Sequence, residues 1–544
     1  MNRIPSRILL SGLWIFLGSG TLLLFLILGF FNVPASDDYS YARWMREWGF
    51  ADANITIYIG WGGRYFSNIL LTLCNGLSYS TNYKEFLLPY QFHSVGHIFL
   101  CTFSTLILFR RFRFLPNVFL ALVPLTLFIQ KASLISEYFF WLAGTVTYCS
   151  GFIFGAGALS AYLDMVRNPE RGHIPLKKTI NILGVFIFLG SLLVLFKGYR
   201  PVIDFLNNQP LVFLFVFGAS ILIVLGYLWK AGNPEFRGKP IWHWVTMLFC
   251  MAGCAGSSEL SGAILILTMG FVWLWYWEPS RLFDPVRFFP LILAAMALAL
   301  CVFTPATLNR QGTVKNDVLH NWAQSLGMGR IIIFQLAYLV SVLPVGLGIS
   351  LLFPPTAKST HIPQVPFVKS IGFLVGFLLT IGFLLPIAVC YQSGELPPRA
   401  INAIIQVMTY ALFGFSFYWG RLLLASRFSM KPGLVAGIQL VLILLVLWDP
   451  TRNNLRAGFS DLQSGEAASF LSQYKTEQET ILACPTKSCE VQWNTAHPKT
   501  LCTAPNPVIL GKEFGSLKEY KSYSYAQFYG KNFIYLRPEK EPVR

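Results

Sequence analysis

The chain has 544 residues, of which 54% are hydrophobic and only 12% are charged. This composition excludes a large water-soluble protein, because several apolar runs reach the ~18 residues that can cross a bilayer as a helix. The formal net charge of +17 does not point to nucleic acid, since basic residues collect in the cytoplasmic loops of membrane proteins.

The apolar runs predict an all-α polytopic membrane protein with about thirteen transmembrane helices. Arg3 and Arg7 precede the first run and no small-residue cleavage site follows it, so we expect an uncleaved helix rather than a signal peptide. The predicted spans are 9–31, 88–109, 114–130, 142–163, 179–197, 210–229, 241–256, 260–277, 288–304, 329–353, 368–390, 401–423 and 433–449.

The stretch 64–80 mixes leucines with asparagines and serines, so by itself it fits either a span or a helix lying along the membrane interface. Loop charge decides between the two. If the stretch does not cross, the basic residues of most later loops fall on the side of the N terminus, as the positive-inside rule requires. We therefore expect a cytoplasmic N terminus, a long first outer loop at 32–87 and an outer C terminus.

This orientation divides the chain into a transmembrane domain at 1–449 and a small outer domain at 450–544. The outer part predicts an amphipathic helix at 463–475 and short strands at 508–510 and 533–536. Its cysteines do not show a zinc spacing, and a disulfide outside the cytoplasm would most simply join Cys484 to Cys489. The other cysteines, apart from Cys502, lie in or beside apolar runs and are expected to pack there.

Uncommon polar groups gather on the predicted outer side. Asp37 and Asp38 directly follow the first span, and acidic groups at membrane level are costly and usually mark a site. The other candidates on this side are Arg64, Glu137, Glu259, Arg310, Lys315 and Arg399, with the aromatic residues Tyr39, Tyr41, Trp44, Trp61, Tyr65 and Trp141.

Each group has a chemical role and an ordinary structural one. Asp37 or Asp38 can deprotonate an acceptor hydroxyl, and the pair can also hold a divalent cation; the alternative is a helix cap. The cations can bind a leaving phosphate, although Arg64 can equally snorkel and Arg399 can pair locally with Glu395. The aromatic rings suit sugar faces and also the membrane-interface belt. A base, an anion clamp and aromatic surfaces together favour sugar transfer from a lipid-phosphate donor.

This arrangement resembles the GT-C superfamily of integral-membrane glycosyltransferases, in which an acidic residue or pair follows the first span and interfacial helices precede the second. Asp37-Asp38 stand at the acidic position, and 64–87 matches the interfacial helices. The order of short motifs is similar to a bacterial multi-pass family over residues 8–430. The motifs are Asp37-Asp38-Tyr39, Gly63-Arg64, Glu137 with Trp141, Gly144 and Tyr148, Ser258-Glu259 and Pro398-Arg399.

The resemblance implies an enzyme of the bacterial inner (cytoplasmic) membrane that moves a sugar from a polyprenyl-phosphate donor to a cell-envelope glycan or glycolipid at the periplasmic face, with inversion at the sugar carbon. It implies Asp37 or Asp38 as the base, with Asp37 favoured, and a divalent cation is optional. Two alternatives stay open, namely a polysaccharide polymerase or ligase that uses lipid-diphosphate donors, and a transporter of lipid-linked sugars.

Overall fold

The protein is described here from a computed structural model. The residues described are 4–110, 114–167, 219, 221–224, 226–230, 240–276, 284–307, 339–353, 367–385, 397–425, 431–449, 453–492, 495–501 and 524–537. Two predicted features, the span at 179–197 and the strand at 508–510, lie outside these residues.

The described chain is almost entirely helical, which confirms the all-α prediction. Its first helices are α1 (Ile4–Gly29), α2 (Asp37–Trp48), α3 (Phe50–Gly60), α4 (Tyr65–Leu73), α5 (Tyr83–Phe109), α6 (Phe114–Lys131) and α7 (Ser150–Arg167). The later helices of the apolar part are α8 (Pro240–Ser257), α9 (Glu259–Trp275), α10 (Pro285–Val302), α11 (Val342–Ser350), α12 (Phe367–Leu379), α13 (Pro398–Ala425) and α14 (Pro432–Trp448).

Four helical stretches are long and apolar enough to cross a membrane: Leu9–Gly29, Tyr83–Phe109, Leu142–Arg167 and Pro398–Leu424. Seven shorter apolar helices accompany them, and they coincide with further predicted spans. These helices support a membrane protein, since the alternative would expose long apolar surfaces to water.

The ambiguous stretch 64–80 does not form a single long helix. Helix α4 has nine residues, and a one-turn helix at Gly76–Ser78 follows after a break. Nine residues rise about 14 Å, less than half of the ~30 Å hydrocarbon core of a bilayer. This agrees with the prediction that the stretch does not cross.

Two apolar cores meet along the chain segment 136–149. The first core joins α1, α5, α6, α11, α13 and α14. The second joins α2 to α4 with α7 to α10. Tyr138 and Phe139 belong to the first core, while Leu142 and Val146 belong to the second. The segment 136–149 is therefore held from both sides, which fixes the position of the side chains that it carries.

Residues 453–537, here called the C-terminal segment, form a small helical unit with one pair of strands. Its elements are α15 (Asn454–Gln463), α16 (Glu466–Ala483), β1 (Ser488–Gln492), the short helix α17 at 524–528 and β2 (Phe533–Arg537). The strands pair in parallel, with Ser488 opposite Phe533. The strand predicted at 533–536 is present, and Cys484 and Cys489 form the predicted disulfide.

The amphipathic helix predicted at 463–475 is displaced. Gly465 adopts φ 76°, a left-handed conformation that interrupts the helix, because such a backbone suits glycine and terminates regular α-helix. The chain therefore forms α15 and α16 on either side of this residue, and the amphipathic helix begins at Glu466 rather than at 463.

Two ion pairs at helix ends each join residues that loop charge assigned to the same side of the membrane. Lys131 pairs with Asp449, and Arg110 pairs with Asp164. The first pair lies at the ends of α6 and α14, and the second lies at the ends of α5 and α7. Each pair therefore brings two helix ends together, while the direction of the helices across a membrane and the compartment on each side stay predictions.

Candidate functional site

The centre of the candidate site is the segment 136–149, which carries two wide helical turns. Ser136–Phe140 and Thr145–Cys149 each form one π-helical turn. The short helix Leu142–Gly144 lies between them. Isolated π turns are rare and recur at functional sites, because they rotate side chains out of the regular helical register. Here they present Glu137, Trp141 and the backbone N–H of Ala143 to neighbouring elements.

Asp38 is a fully buried acceptor for three donors. Its Oδ2 accepts hydrogen bonds from the Tyr90 hydroxyl at 2.6 Å and from the Ala35 N–H at 3.0 Å, and its Oδ1 accepts from the Ala143 N–H at 3.2 Å. The side chain is 0% exposed. Burial, with a smaller contribution from the neighbouring Asp37 charge, raises the pKa of Asp38 to about 7 despite these bonds. Asp38 thus ties α2 to α5 and to the segment 136–149.

Asp37 occupies a different environment. It is partly exposed, and within the described part of the chain its carboxylate accepts no hydrogen bond and forms no ion pair. Ser36 precedes it with φ 50° and does not cap α2 through its side chain, so the capping alternative is not observed. A non-glycine residue at this φ carries local strain, and such residues cluster at functional sites. The strained turn directs Asp37 and Asp38 to opposite surroundings.

Arg399, at the start of α13, contacts two residues of the segment 136–149. Its Nη1 lies 3.2 Å from the Glu137 Oε2, and its guanidinium carbon lies 4.5 Å from the centre of the Trp141 ring. The Trp141 indole N–H donates to the Ala35 carbonyl at 3.2 Å. Stacking on an indole face suits a guanidinium, which is planar and weakly hydrated. The pair predicted between Arg399 and Glu395 is not established, because Glu395 lies outside the described residues.

Arg64 and Glu259 form a second ion pair nearby. The Arg64 Nε donates to the Glu259 Oε2 at 3.0 Å, and this carboxylate is the main reason that the pKa of Arg64 is raised. The guanidinium also lies in the electrostatic field of Tyr148. Among the described residues, the two terminal amino groups of Arg64 have no hydrogen-bond partner. They are therefore the donors available for an anion.

Two glycines allow these pairs to form. A β-carbon on Gly144 would lie 2.0 Å from the Glu137 carbonyl oxygen and 3.3 Å from the Arg399 Cδ. A β-carbon on Gly63 would lie 2.2 Å from the Cys301 carbonyl oxygen. The two distances to carbonyl oxygens are shorter than real contacts of a β-carbon, so only glycine fits at these positions without a shift of the backbone.

An apolar cavity of about 230 Å³ lies among α7, α9, α12 and α13. Tyr148 and Ser261 line one part of it. The Ser261 N–H donates to the Ser258 side chain, so this part adjoins the turn that carries Glu259. Leu159, eleven residues after Tyr148, also lines the cavity, and eleven helical residues rise about 16 Å. The cavity is therefore elongated along the helix axes.

Two of the predicted sugar contacts are buried, so those predictions do not fit the structure. Tyr39 is 0% exposed, and its hydroxyl is hydrogen-bonded to that of Tyr474 at 2.9 Å. Its ring packs edge-on against Tyr525 and Phe528. Trp141 is 6% exposed and is covered by Arg399. No sequence pattern indicated that the C-terminal segment packs on Tyr39.

The other aromatic predictions have mixed outcomes. Trp61 is 40% exposed and therefore accessible to a ligand. Tyr65 is half-buried, and its hydroxyl donates to the Ala252 carbonyl at 3.1 Å, which holds the ring between α8 and α10. Arg310 and Lys315 lie outside the described residues, so the structure does not bear on them.

A metal site at Asp37 and Asp38 gains no support. Both oxygens of Asp38 already accept hydrogen bonds, and a cation would have to displace those donors. Within the described ranges, no three His, Cys, Asp or Glu side chains come together as a metal-binding group.

Tyr90 is a site residue that sequence reasoning missed. It lies inside the apolar run of α5 and is 0% exposed, so from the sequence it looks like a packing residue. The only available signal is its phenol group, since a buried Tyr hydroxyl usually has a hydrogen-bond partner.

Comparison of the chain with protein-family models, with curated proteins and with solved structures finds no match.

Proposed function

We propose that the protein is a membrane glycosyltransferase with a GT-C-like core of about thirteen spans, which transfers a sugar from a polyprenyl-phosphate donor to a glycan or glycolipid acceptor at the periplasmic face. The observation that carries the proposal is the elongated apolar cavity, one part of which adjoins the turn that carries Glu259, the partner of Arg64. An apolar cavity of about 230 Å³ suits a segment of an isoprenoid chain, and the unused donors of Arg64 suit the phosphate of the same lipid.

Asp37 is the favoured base. A general base must reach the proton that it takes, and Asp37 is partly exposed and has no partner in the described part of the chain, whereas Asp38 is enclosed by three donors. Asp38 then acts as a positioning residue, because its bonds to Tyr90 and Ala143 hold the first turn of α2.

The proposed step is a single displacement. The acceptor hydroxyl oxygen attacks the anomeric carbon of the donor sugar, and its proton passes to the Asp37 carboxylate. The bond between the anomeric carbon and the phosphate oxygen breaks, and polyprenyl phosphate leaves with the electron pair. Arg64 and Arg399 stabilise the charge that develops on this phosphate. The geometry of such an attack inverts the configuration at the sugar carbon.

The test is a transfer assay with purified protein in nanodiscs, polyprenyl-phosphate sugars and a mixture of envelope glycolipids. Asp37→Asn should reduce turnover by at least ~100-fold, the lower range for a general base. Asp52→Asn is the matched control, because Asp52 is another partly exposed acid of the same predicted loop. Normal turnover of Asp37→Asn on an active donor would overturn the base assignment, and transfer only from lipid-diphosphate donors would favour a polymerase or ligase.

A further inference from the structure

Tyr148 is a buried residue whose hydroxyl has no hydrogen-bond partner among the described residues. It belongs to the second π turn of the segment 136–149 and is 5% exposed. The Tyr138 hydroxyl reaches the backbone carbonyl of Tyr148 at 3.5 Å and not its phenol group. Most buried polar groups in proteins are hydrogen-bonded, so an exception points to a partner that binds there. The Tyr148 hydroxyl is thus a donor that the described chain leaves unused.

The apolar cavity lies beside this hydroxyl. Tyr148 lines the cavity together with Gly151 and Gly155, and the spacing of three and four residues places these positions along one helix face. The hydroxyl oxygen of Tyr148 is not one of the unpaired side-chain atoms that are closed to solvent, although the residue as a whole is buried. The small accessible part of Tyr148 therefore includes its hydroxyl, and a ligand in the cavity can reach it.

Tyr148 also stands next to the pair formed by Arg64 and Glu259. The Arg64 guanidinium interacts electrostatically with Tyr148, and α4, which begins directly after Arg64, packs against the π turn that carries Tyr148. A β-carbon on Gly151 would lie 2.2 Å from the Ser261 Oγ, so the start of α7 adjoins the turn of Glu259. Tyr148 therefore connects the apolar cavity to the cation at its end.

This arrangement suits a ligand with an anionic group at the end of an apolar chain. The unused donors of Arg64 and the Tyr148 hydroxyl can bind oxygens of one anion, and hydrogen bonds to a charged acceptor are stronger than neutral ones. An uncharged lipid would leave these donors without partners. Free inorganic phosphate would leave the apolar cavity unfilled. An isoprenoid phosphate satisfies both parts of the site.

We infer that Tyr148 is a donor-binding residue, whose hydroxyl donates a hydrogen bond to a phosphate oxygen of the polyprenyl-phosphate lipid. Arg64 binds the same phosphate, and the isoprenoid chain runs along the cavity past Gly151 and Gly155. This inference rests on the proposed function and deepens it, because it names the side chain that links the phosphate site to the chain site. Tyr148 then discriminates a lipid phosphate from an uncharged lipid of the same chain.

The experiment measures binding without turnover. Calorimetric titration of the full-length protein in detergent micelles, with protein-free micelles subtracted, compares farnesyl phosphate with farnesol, which has the same chain without the phosphate. We expect wild type to bind farnesyl phosphate more tightly than farnesol. Tyr148→Phe should raise the Kd of farnesyl phosphate about tenfold, equivalent to ~1.4 kcal/mol. It should leave the Kd of farnesol unchanged, because the variant loses only the hydroxyl.

Tyr410→Phe is the matched control. Tyr410 lines the same cavity, but its hydroxyl is hydrogen-bonded to that of Thr105 at 2.8 Å. This variant should keep the preference for farnesyl phosphate over farnesol. The thermal midpoints without ligand should show the reverse pattern. Tyr148→Phe should match or exceed wild type because it loses an unused hydroxyl, whereas Tyr410→Phe should fall below wild type because it breaks a hydrogen bond.

Three results would overturn the role of Tyr148. The first is equal affinity of wild type and Tyr148→Phe for farnesyl phosphate. The second is a thermal midpoint of ligand-free Tyr148→Phe well below that of wild type, which would show a structural bond. The third is competition by inorganic phosphate as strong as that by unlabelled farnesyl phosphate, which would show a site for free phosphate. If the preference for farnesyl phosphate depends on Tyr148 but no polyprenyl-phosphate sugar supports transfer, the lipid site stands and the proposed reaction fails.

Discussion

Tyr90 donates a 2.6 Å hydrogen bond to the Asp38 carboxylate at a position that is closed to solvent. Tyr90→Phe removes this donor and leaves a buried carboxylate with only two backbone N–H partners. An unsatisfied buried group costs roughly 1–3 kcal/mol, so we expect the free energy of unfolding to fall by that amount. Reversible unfolding in mixed micelles measures it.

The matched control is Asp37→Asn, which changes the neighbouring acid but removes no hydrogen bond of the described part. It should unfold like wild type. If Tyr90→Phe were as stable as this control, the bond from Tyr90 to Asp38 would contribute nothing to the fold.

Asp38 also predicts how stability depends on pH. Its pKa is raised from 3.8 to about 7 by burial, so between these values the folded protein binds a proton that the unfolded chain has released. The contribution of this group to the free energy of unfolding is fully present below about pH 4 and is lost as the pH rises towards 7. The total change is on the order of a few kcal/mol.

The comparison of wild type with Asp38→Asn isolates this effect, because other titrating groups are common to both proteins. We expect the unfolding free energy of wild type, relative to that of the variant, to decrease from pH 4 to pH 7 and to level off above. Parallel curves for the two proteins would show that Asp38 titrates at its ordinary pKa.

Adding a single methyl group at Gly144 should strongly reduce the stability and the transfer activity of the protein. Gly144 has a normal helical φ of −69°, so alanine is excluded there by contact and not by backbone conformation. Because its β-carbon would overlap the Glu137 carbonyl oxygen, Gly144→Ala must shift the segment that holds Glu137 and Arg399. We expect a loss of roughly 1–3 kcal/mol in stability, as for overpacking, together with loss of transfer activity.

Gly96→Ala serves as the control, because nothing lies within 4 Å of a β-carbon at that helical position. Alanine there should be neutral or slightly stabilising. Thermal unfolding of both variants, followed by intrinsic fluorescence, makes the comparison; similar midpoints would contradict the crowding seen at Gly144.

Replacing Arg64 should weaken the binding of the donor lipid. Arg64→Lys keeps the charge but loses the planar fork that can bind Glu259 and a phosphate together. We expect the KM for polyprenyl-phosphate sugar to rise about tenfold, corresponding to ~1.4 kcal/mol. Arg43→Lys is the control, since Arg43 pairs with Glu47 one turn away on α2. Equal donor KM values for the two variants would remove Arg64 from the phosphate site.

Hydropathy predicted most helices of the described part, and the close spacing of Cys484 and Cys489 predicted the disulfide, because both depend on local sequence. The pairing of the charged groups was not predictable. Arg399 meets Glu137, 262 residues away, and Arg64 meets Glu259, 195 residues away. Such contacts depend on how helices pack. The expected partner Glu395 is merely the nearest acid in sequence, which is a weak guide in a folded chain.

The sequence is also a limited guide to which aromatic side chains are buried and which partners they have. Tyr39 and Tyr41 are two residues apart, and composition cannot say which of them faces the C-terminal segment. Helical spacing alone could have placed Asp37, Tyr41, Trp44 and Trp48 along one face of α2, because that placement needs only the knowledge that 37–48 is helical. The burial of Tyr39 could not have been identified, because it depends on Tyr474, Tyr525 and Phe528, which lie more than four hundred residues away in sequence.

The last prediction concerns how much Tyr39 contributes to holding the C-terminal segment on α2. Its hydroxyl bonds to Tyr474, and its ring lies 4.7 Å from that of Tyr525 and 5.3 Å from that of Phe528. Tyr39→Phe loses only the hydroxyl bond and should cost ~0.5–1.5 kcal/mol. Tyr39→Ala leaves a cavity the size of a ring and should cost ~3–5 kcal/mol. Limited proteolysis should then cut the C-terminal segment faster.

Phe459→Ala separates this contact from the general effect of losing an aromatic ring in the same segment. Phe459 lies on α15 and is 61% exposed, so its truncation should change neither stability nor proteolysis appreciably. If Tyr39→Ala matched Phe459→Ala in both measurements, the segment would be held by its other contacts with the bundle, such as the bond from Tyr83 to Glu479. A large difference would show that Tyr39, the residue next to the acid pair, is a main contact that holds the C-terminal segment on α2.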